Sequence, residues 1–324
     1  MFRKIAVAAV AVVTTLSLAA CGGANAGDGG TTGTGGGEQQ KQKTVGLAVA
    51  NQQADFFNQI RQSVEAAAKE QNVRVVVADA KGDSNTQVSQ IQDFITQQVD
   101  AIIYIPAGAT AATVPVRAAK SANIPIVAVD RNPEGAPGDT FIATDSVAAA
   151  KALGEWVGKK VNGQGQLGVI QGQIGTTPEV ARDTGFKEAM TQFPGIKEVA
   201  RQASQQWAQD EGYQLATDML QANPSINIFF GRADALALGA AQAVRNAGVD
   251  GVTIVGFDGD KAGLEAVKSG VLAATITQPT QGMGKLALES AIKLANGEKV
   301  PAEQLQEGVL TTKENVDPFI ANHP

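Results

Sequence analysis

Charged, amide and aromatic side chains follow several short apolar runs of this 324-residue sequence, near the points where those runs end. The residues placed in this way are Phe56, Phe57, Asp130, Arg131, Arg182, Asp258 and Gln278. An Asp carboxylate accepts hydrogen bonds, and an Arg guanidinium donates several in one plane. Flat aromatic faces pack against C–H groups. A molecule with hydroxyl edges and C–H faces, such as a sugar, matches this set of side chains.

Each of these residues also has an interpretation that involves no ligand. An Asp at a strand end commonly caps a turn or a helix, and a pair of Phe residues at a helix start is more often part of the core. Ligands of open α/β sheets, however, bind beyond the carboxyl ends of the strands. The shared placement of these side chains therefore favours one binding site over several unrelated structural roles.

The elements that must position these side chains alternate between strand and helix from Thr44 onward. Short β-branched runs are typical of buried parallel strands, and the amphipathic stretches between them are typical of helices. Strands are predicted at 45–49, 73–78, 101–105, 125–129, 166–171, 226–230, 252–257 and 273–277. Helices are predicted at 56–71, 84–97, 110–121, 146–161, 178–192, 209–221, 234–247, 261–268 and 281–295. So many strands exceed one ordinary sheet, which predicts an α/β fold of two doubly wound parallel-sheet lobes.

The composition argues against several kinds of chemistry. With 26 basic and 32 acidic residues the formal net charge is −6, and no basic cluster is present, so nucleic acid is not an expected partner. One Cys and one His allow no disulfide within the chain and are too few for an ordinary zinc site. A nucleophile–His pair would have to recruit His323 from a tail that we expect to fray. We therefore expect no metal and no cofactor.

Three glycines match the G-x-G-x-x-G spacing of dinucleotide sites, at Gly163, Gly165 and Gly168. That fingerprint must follow a strand and open a helix. Here it follows a predicted helix and precedes a predicted strand. The segment is therefore interpreted as a turn rather than as a nucleotide-binding loop.

The N-terminal segment has the composition of a secretion signal followed by a tether. Two basic residues precede an uncharged apolar run at 5–20, which is short for a membrane span. The sequence Leu-Ala-Ala-Cys that ends at Cys21 resembles the bacterial lipobox, which implies cleavage before Cys21 and lipidation of its sulfur. Residues 1–20 are thus predicted to be a lipoprotein signal peptide and 21–43 a flexible Gly- and Thr-rich tether. The expected location is extracytoplasmic, with a lipid anchor in the cell membrane.

From about residue 45 to 309 the chain resembles the type I periplasmic binding proteins, and among them the ribose-binding protein and its relatives. The stretches that carry the resemblance are 55–57, 123–131, 181–186, 255–259 and 272–278. The resemblance implies a sugar-binding cleft in which the ring lies between aromatic side chains and polar side chains bond its hydroxyls. The aromatic residues would be Phe56, Phe57 and Trp207. The polar ones would be Asp130, Arg131, Arg182, Asp258 and Gln278.

The same resemblance implies a division into two lobes joined by a three-segment hinge. The crossings would lie near Asp145, Gln278 and 306–308. The N-terminal lobe would consist of 44–144 plus 279–307, and the C-terminal lobe of 145–278 plus 308–324. Ligand bound between the lobes would stabilise their closed arrangement through contacts that it makes preferentially in closure.

Three alanines depart from the ribose pattern at positions where that pattern has polar contacts, namely Ala50, Ala54 and Ala233. Alanine cannot hydrogen-bond a hydroxyl, and contacts of this kind discriminate strongly between ligands. The departure puts ribose itself in question and predicts a less polar, roomier side of the pocket. Residues that would compensate are Asn51, Gln52, Asp55, Arg232 or Asp234. Asp234 is better interpreted as the cap of the helix that begins there.

Four functions are compatible with parts of this pattern. The leading hypothesis is a monomeric, non-catalytic binding component of an ABC importer, which delivers a monosaccharide or sugar alcohol to permease subunits. A ligand-sensing receptor module that serves a membrane sensor has the same body and stays open. A secreted sugar-active enzyme would need two carboxylates such as Asp130 and Asp258, but we expect the neighbouring Arg residues to keep both ionised. A regulator of the lac repressor family would need a helix-turn-helix where this chain has a signal and a tether.

Overall fold

The computed structural model of the protein describes residues 42–324. The predicted signal peptide, the predicted lipidation site Cys21 and nearly all of the predicted tether lie outside the described residues. Within 42–324, none of the helices combines the length and the apolar character that crossing a membrane requires.

Strands and helices alternate along the described chain. The strands are β1 (Thr44–Val49), β2 (Arg74–Asp79), β3 (Ala101–Tyr104), β4 (Ile126–Val129), β5 (Thr140–Thr144), β6 (Gln164–Gln171), β7 (Gly195–Ala203), β8 (Ile228–Gly231), β9 (Thr253–Val255), β10 (Ala274–Thr277), β11 (Glu303–Gln306) and β12 (Val309–Thr312). The helices are α1 (Asp55–Glu70), α2 (Ser84–Thr96), α3 (Thr113–Ser121), α4 (Ser146–Lys160), α5 (Thr177–Met190), α6 (Gln209–Ala222), α7 (Asp234–Asn246), α8 (Lys261–Ser269), α9 (Thr280–Ala295) and α10 (Asp317–Ala321). Each predicted helix and strand lies within a few residues of an observed one, whereas β5, β7, β11, β12 and α10 were not predicted.

The strands form two six-stranded sheets, in the orders β11-β5-β4-β3-β1-β2 and β12-β10-β9-β8-β6-β7. Neighbouring strands run parallel except β10 and β12, which are antiparallel. In each sheet the chain leaves its first strand in both directions, to β2 and β3 from β1 and to β7 and β8 from β6. This order confirms the predicted α/β fold of two doubly wound lobes.

The chain passes between the two sheets three times: after β5, after β10 and between β11 and β12. The second of these passages returns the chain to the first lobe, where α9 packs beside α1. Met283 and Leu288 of α9 share an apolar core with Leu47 of β1 and Ile60 of α1. The exact residues at which one lobe ends and the other begins stay a prediction.

The glycine-spaced segment is not the predicted turn, because β6 already begins at Gln164. A Cβ added at Gly165 would lie 2.5 Å from Ile228 Cδ1, and one at Gly168 would lie 2.7 Å from Phe229 Cε1. These glycines therefore make room for the side chains of the neighbouring strand β8. A strand rather than a helix follows Gly163, so the context of a dinucleotide loop is missing.

The tail that was expected to fray is packed against the body instead. The backbone N–H of Gln281 donates to the backbone oxygen of Pro324 at 2.9 Å, and His323 is half-buried between the start of α9 and the loop of Gly259. Local sequence offers no apolar pattern at 322–324, so this docking depends on partners distant in the chain.

Candidate functional site

The predicted site residues lie at or beyond the carboxyl ends of strands in both lobes. Asp130 and Arg131 directly follow β4, and Gln278 directly follows β10. Asp258 lies three residues beyond β9, where it forms an isolated parallel bridge with Thr277. Phe56 and Phe57 lie in the first turn of α1, Arg182 lies in α5, and Trp207 precedes α6. Parallel strands end at one edge of a sheet, which explains why residues far apart in sequence approach one another here.

In the first lobe, the Arg131 guanidinium is buried and oriented by backbone carbonyls. Its Nη1 donates to the carbonyl oxygens of Pro106 and Ala107, at 2.9 Å each. Its Nε lies 3.5 Å from Asp130 Oδ2, and its central carbon is 5.3 Å from the centre of the Phe57 ring. Burial raises the pKa of Asp130 and lowers that of Arg131, and the attraction between the two charges opposes both shifts.

In the second lobe, a guanidinium and an amide meet on one carboxylate. Gln278 Nε2 donates to Asp258 Oδ1 at 2.7 Å, and Arg182 Nη2 lies 3.4 Å from the same oxygen. The Arg182 guanidinium also covers the Phe257 ring at 3.9 Å, and its Nη1 donates to the carbonyl oxygen of Arg232. The Asp258 carboxylate is thus held in place while 13% of its side chain stays exposed.

The Trp207 ring contacts guanidinium groups of both lobes. Its ring lies 5.9 Å from the Arg131 guanidinium of the first lobe and 5.5 Å from the Arg182 guanidinium of the second. Phe57 also contacts Arg131, and Phe56 packs edge-to-face against Phe57 at 5.2 Å between ring centres. The structure therefore brings all eight predicted residues into one contiguous group. Phe56 and Phe57 also belong to the apolar core of the first lobe, so their structural interpretation holds as well.

Three residues of this group adopt backbone conformations that residues other than glycine rarely adopt. The φ angles are 62° at Asp130, 61° at Trp207 and 134° at Asp258. A positive φ is uncommon outside glycine and is a clear outlier for a bulky residue such as Trp. Strained conformations of this kind persist only where the surroundings enforce them, and they gather at functional sites.

Glu211 enforces the conformation of the Trp207 loop. Its carboxylate accepts hydrogen bonds from Ser204 Oγ at 2.5 Å, Gln205 N at 3.0 Å and Gln206 N at 2.9 Å. Ser204 Oγ in turn accepts from Trp207 N at 2.7 Å. Burial alone would raise the pKa of Glu211, but these hydrogen bonds lower it. Sequence reasoning missed this residue, although a Glu in the third position of a helix is a capping signal.

The Trp207 indole lies against a glycine of β6's exit loop. A Cβ added at Gly172 would lie 1.9 Å from the indole ring, so any other residue there would displace the ring. Gly172 N donates to the buried carboxylate of Glu179 at 2.8 Å. Glu179 of α5 therefore fixes the loop against which the indole packs.

Asp234 does not cap a helix, contrary to the sequence-based interpretation. It is fully buried, and its carboxylate accepts from Thr275 Oγ1 at 2.6 Å and Gly259 N at 2.8 Å. Burial raises its pKa, with a further contribution from the charges of Asp260 and Asp258. Through its bond to Gly259 N, Asp234 thus supports the loop that carries Asp258.

Three of the other residues named as possible replacements for the alanines bond elsewhere. Arg232 is fully buried, and its Nη2 donates to Asp183 Oδ1 at 2.6 Å. Asn51 Oδ1 accepts from Gln53 N at 2.8 Å, and Asp55 Oδ2 accepts from Gln59 Nε2 at 3.0 Å. Ala50 and Ala233 are buried within the apolar cores of their lobes.

The neighbouring Arg residues were expected to keep both acids ionised, but they lower the two pKa values less than burial raises them. Burial raises the pKa of Asp258 to about 7, a larger effect than the lowering by Arg182. The pKa of Asp130 is raised for the same reason. Charge pairing in this cleft reduces the cost of desolvation without cancelling it.

Direct hydrogen bonds hold the lobes together at the edge of the site. Thr177 Oγ1 of α5 accepts from Asn132 N at 2.9 Å and donates to the carbonyl oxygen of Asn132 at 3.2 Å. Near the opposite end, Asp55 Oδ2 accepts from Lys261 N at 3.4 Å. The structure therefore shows the lobes in contact with each other, with the charged group between them.

Comparison with known proteins places the chain in a family. Residues 45–299 match the family model described as periplasmic binding protein domain. The ribose import binding protein of Bacillus subtilis is 30% identical over 261 residues, which cover 81% of this chain and 84% of that protein. A xylitol-binding protein of Mycolicibacterium smegmatis is 32% identical over 276 residues, 85% of this chain and 78% of its own length.

A solved structure of the same family has a similar fold. An ABC transporter solute binding protein from Bacillus halodurans with bound myo-inositol superposes with a TM-score of 0.81 at 29% identity, over 86% of this chain and 98% of that one. With two doubly wound lobes, three passages between them and charged groups of both lobes gathered where they meet, the chain belongs to the type I periplasmic binding proteins, in the group that resembles ribose-binding protein.

Proposed function

We propose that this chain is the extracytoplasmic substrate-binding component of an ABC importer, and that it binds a monosaccharide or a sugar alcohol between its lobes without catalysis. The observation that carries the proposal is the contiguous group of Asp, Arg, Gln and aromatic side chains from both lobes. Carboxylate and guanidinium groups bond hydroxyls strongly, and the Trp207 and Phe57 rings offer faces for C–H groups. The similar proteins named for ribose, xylitol and myo-inositol support this class of ligand.

The pairing of charges supports a neutral ligand. Asp130 with Arg131 and Asp258 with Arg182 pair opposite charges when the carboxylates are ionised, so a ligand without charge leaves the balance of the cleft unchanged. The three alanines at the positions of polar contacts in the ribose pattern support a sugar or polyol other than ribose.

A lipid anchor at Cys21 completes the proposal and places the body outside the cytoplasm, where it would act as a monomer beside the permease subunits. Metabolic labelling with a tagged fatty acid tests it. We expect label on the wild-type chain and none on the Cys21→Ala variant. Label on the variant, or an unlabelled wild-type chain, would contradict the anchor.

Binding is tested with a panel of pentoses, hexoses and alditols, read by thermal shift and by calorimetry. We expect at least one member to raise the melting temperature and to bind with a one-to-one stoichiometry. The bound compound should be recovered unaltered after prolonged incubation, and its conversion would show an enzyme instead. A permease and an ATPase encoded beside the gene would support import, and a sensor kinase in that position would support sensing.

The cleft assignment is tested at Trp207. Replacing it with Ala should weaken binding of the panel compound at least about thirtyfold, the effect of losing a central aromatic contact of about 2 kcal/mol. The matched control is Trp156→Phe, because Trp156 lies in α4 with its ring 5.9 Å from Lys160 Nζ. That control should bind normally and leave Trp207 as the sole fluorescence reporter. Normal binding by Trp207→Ala would refute the assignment.

A further inference from the structure

The only histidine of the sequence lies beside the candidate site, between the two lobes. His323 Nε2 is 2.8 Å from the carbonyl oxygen of Gly259, the residue that follows Asp258. His323 Nδ1 is 3.2 Å from Thr280 Oγ1, at the start of α9, and 3.3 Å from the carbonyl oxygen of Pro324. The ring therefore spans from the loop that carries Asp258 to a helix of the first lobe.

The hydrogen bonds around this ring fix its donors and acceptors. Gln59 Nε2 donates to Asp55 Oδ2 at 3.0 Å, which orients the amide so that its oxygen faces Thr280. Thr280 gives its single hydroxyl hydrogen to Gln59 Oε1 at 2.6 Å. Thr280 Oγ1 can then only accept from His323 Nδ1, and the Gly259 carbonyl only accepts from Nε2. An imidazole donates from both nitrogens only when it carries both protons.

We propose that His323 is a positioning residue for the candidate site, and that its doubly protonated form fixes the loop of Asp258 and Gly259 against the first lobe. The proposal rests on the function proposed above, because it concerns regulation of the same site. Gly259 has little freedom to yield: its N–H donates to Asp234, and a Cβ on it would lie 2.4 Å from Thr277 Cα. Asp234 thus holds the loop on one side and His323 on the other.

Asp260, just before α8, is the titratable group on which the charge of His323 acts. Asp55 of α1 also acts on Asp260, and it accepts a hydrogen bond from Lys261 N. Burial raises the pKa of Asp260, while the charge of His323 lowers it. Asp258, with a pKa raised to about 7, is one residue away from Gly259. Thr280 and Gln281 of α9 carry no charge.

His323 and Asp258 act in opposite directions as the pH falls. Protonation of Asp258 removes a charged acceptor for ligand hydroxyls, which weakens binding. Protonation of His323 completes the bonds to Thr280 and Gly259, which favours the closed lobes and strengthens binding. A variant without the imidazole therefore separates the two contributions.

The first experiment needs no ligand. Histidine labelled with ¹⁵N in the full chain gives one pair of ring resonances, which distinguish the imidazolium from each neutral tautomer. At pH 5.5 we expect two protonated nitrogens with slow hydrogen exchange, as in a docked ring. A freely exchanging, mobile ring at that pH would overturn the proposal.

The second experiment uses calorimetry with D-ribose, xylitol and myo-inositol as probes at pH 5.5 and 8.5. The ratio of the two affinities should be about tenfold larger for the wild type than for His323→Gln, as expected for a hydrogen bond from a charged donor. Asn322→Ala is the matched neighbour and should keep the wild-type ratio. Equal ratios for wild type and His323→Gln would overturn the proposal. If none of these probes binds, a compound from the wider panel takes their place; failure of the whole panel is failure of the proposed function, and the ¹⁵N measurement still decides the role of His323.

Discussion

Single residues of the cleft are held in costly states, and Asp258 shows this most directly. Its φ of 134° and its raised pKa both place it in a conformation and an environment that the isolated residue would avoid. Gln278 and Arg182 partly offset that cost by bonding one carboxylate oxygen. An acid held in this way is available to a ligand hydroxyl without rearrangement, at the expense of the stability of the ligand-free chain.

Replacing Asp258 with Asn should stabilise the ligand-free protein at high pH. Because the folded pKa is about 7 against an ordinary value of 3.8, the cost of holding the charged form grows from about pH 4 and is complete above about pH 7. We expect the melting temperature of Asp258→Asn to rise by about 1–2 °C at pH 8.5, the size of roughly 1 kcal/mol in a chain of this length. The gain should shrink at pH 4.5.

Thermal unfolding of both chains at the two pH values checks this prediction. The exposed residue Asp218, in the outer face of α6, provides the control Asp218→Asn, which should show no such dependence. An equal shift of Asp258→Asn at both pH values would show that its charge is not the cause.

The residues near the three alanines show what could not be predicted from the sequence around a single residue. The ribose pattern identified Ala50, Ala54 and Ala233 as departures, but the buried bonds of Asp234 and Arg232 depend on residues 41 and 49 positions away, Thr275 and Asp183. No local pattern announces partners at such distances. The cap interpretation of Asp234 was wrong for this reason.

At the scale of elements, the loop between β7 and α6 works as a rigid mount for the Trp207 ring. Glu211 on α6 binds Ser204, Gln205 and Gln206, and Ser204 binds the Trp207 backbone. The cap of α6 thus also positions the Trp207 ring. Replacing the capping residue Glu211 should therefore change the position of that ring.

Replacing Glu211 with Ala should release this loop and weaken ligand binding about tenfold, mainly through faster dissociation. Trp207 fluorescence in the Trp156→Phe background should shift to longer wavelength as the ring becomes accessible to water. Stopped-flow kinetics and emission spectra measure both effects.

The control is another capping carboxylate, Asp83, which accepts from Thr86 N at the start of α2 in the first lobe. Asp83→Ala should lose a similar amount of stability, about 1 kcal/mol, without any change in fluorescence or dissociation. If both variants dissociate at the same increased rate, general destabilisation rather than loop release is responsible.

Most elements were predictable because buried parallel strands are continuous apolar runs with helices between them. Three of the four edge strands, β7, β11 and β12, were missed for a physical reason. β7 carries Lys197, Glu198 and Arg201 along its exposed edge, and β11 is Glu-Gln-Leu-Gln. An edge strand borders solvent, where polar residues also protect it from pairing with other chains, so its sequence lacks the apolar signal.

At the scale of the whole molecule, binding depends on how the two lobes meet. Three passages of the chain connect the lobes, and the paired bonds of Asn132 and Thr177 join them at the cleft edge. A ligand that touches both lobes shifts this balance only by the interactions that are stronger in the closed arrangement than in the open one. Bonds between the lobes add to the closed state whether or not ligand is present.

Replacing Thr177 with Val keeps the shape of the side chain and removes both bonds to Asn132. We expect about fivefold faster ligand dissociation, equivalent to about 1 kcal/mol for the net loss of hydrogen bonding, and a larger radius of gyration of the ligand-free chain in small-angle scattering. Thr184→Val is the control on the same helix, because Thr184 Oγ1 donates only to Val180 O of its own helix. Unchanged scattering and kinetics in Thr177→Val would show that these bonds do not govern closure.

The return of the chain from the second sheet to the first sets the order in which the protein can be completed during synthesis. The core around Leu47 needs Met283 and Leu288 of α9, and the first sheet receives its last strand only with Glu303–Gln306. While the ribosome is still making the second lobe, the first therefore lacks a helix and an edge. A nascent polypeptide in that condition stays incompletely folded until almost its full length has emerged from the ribosome.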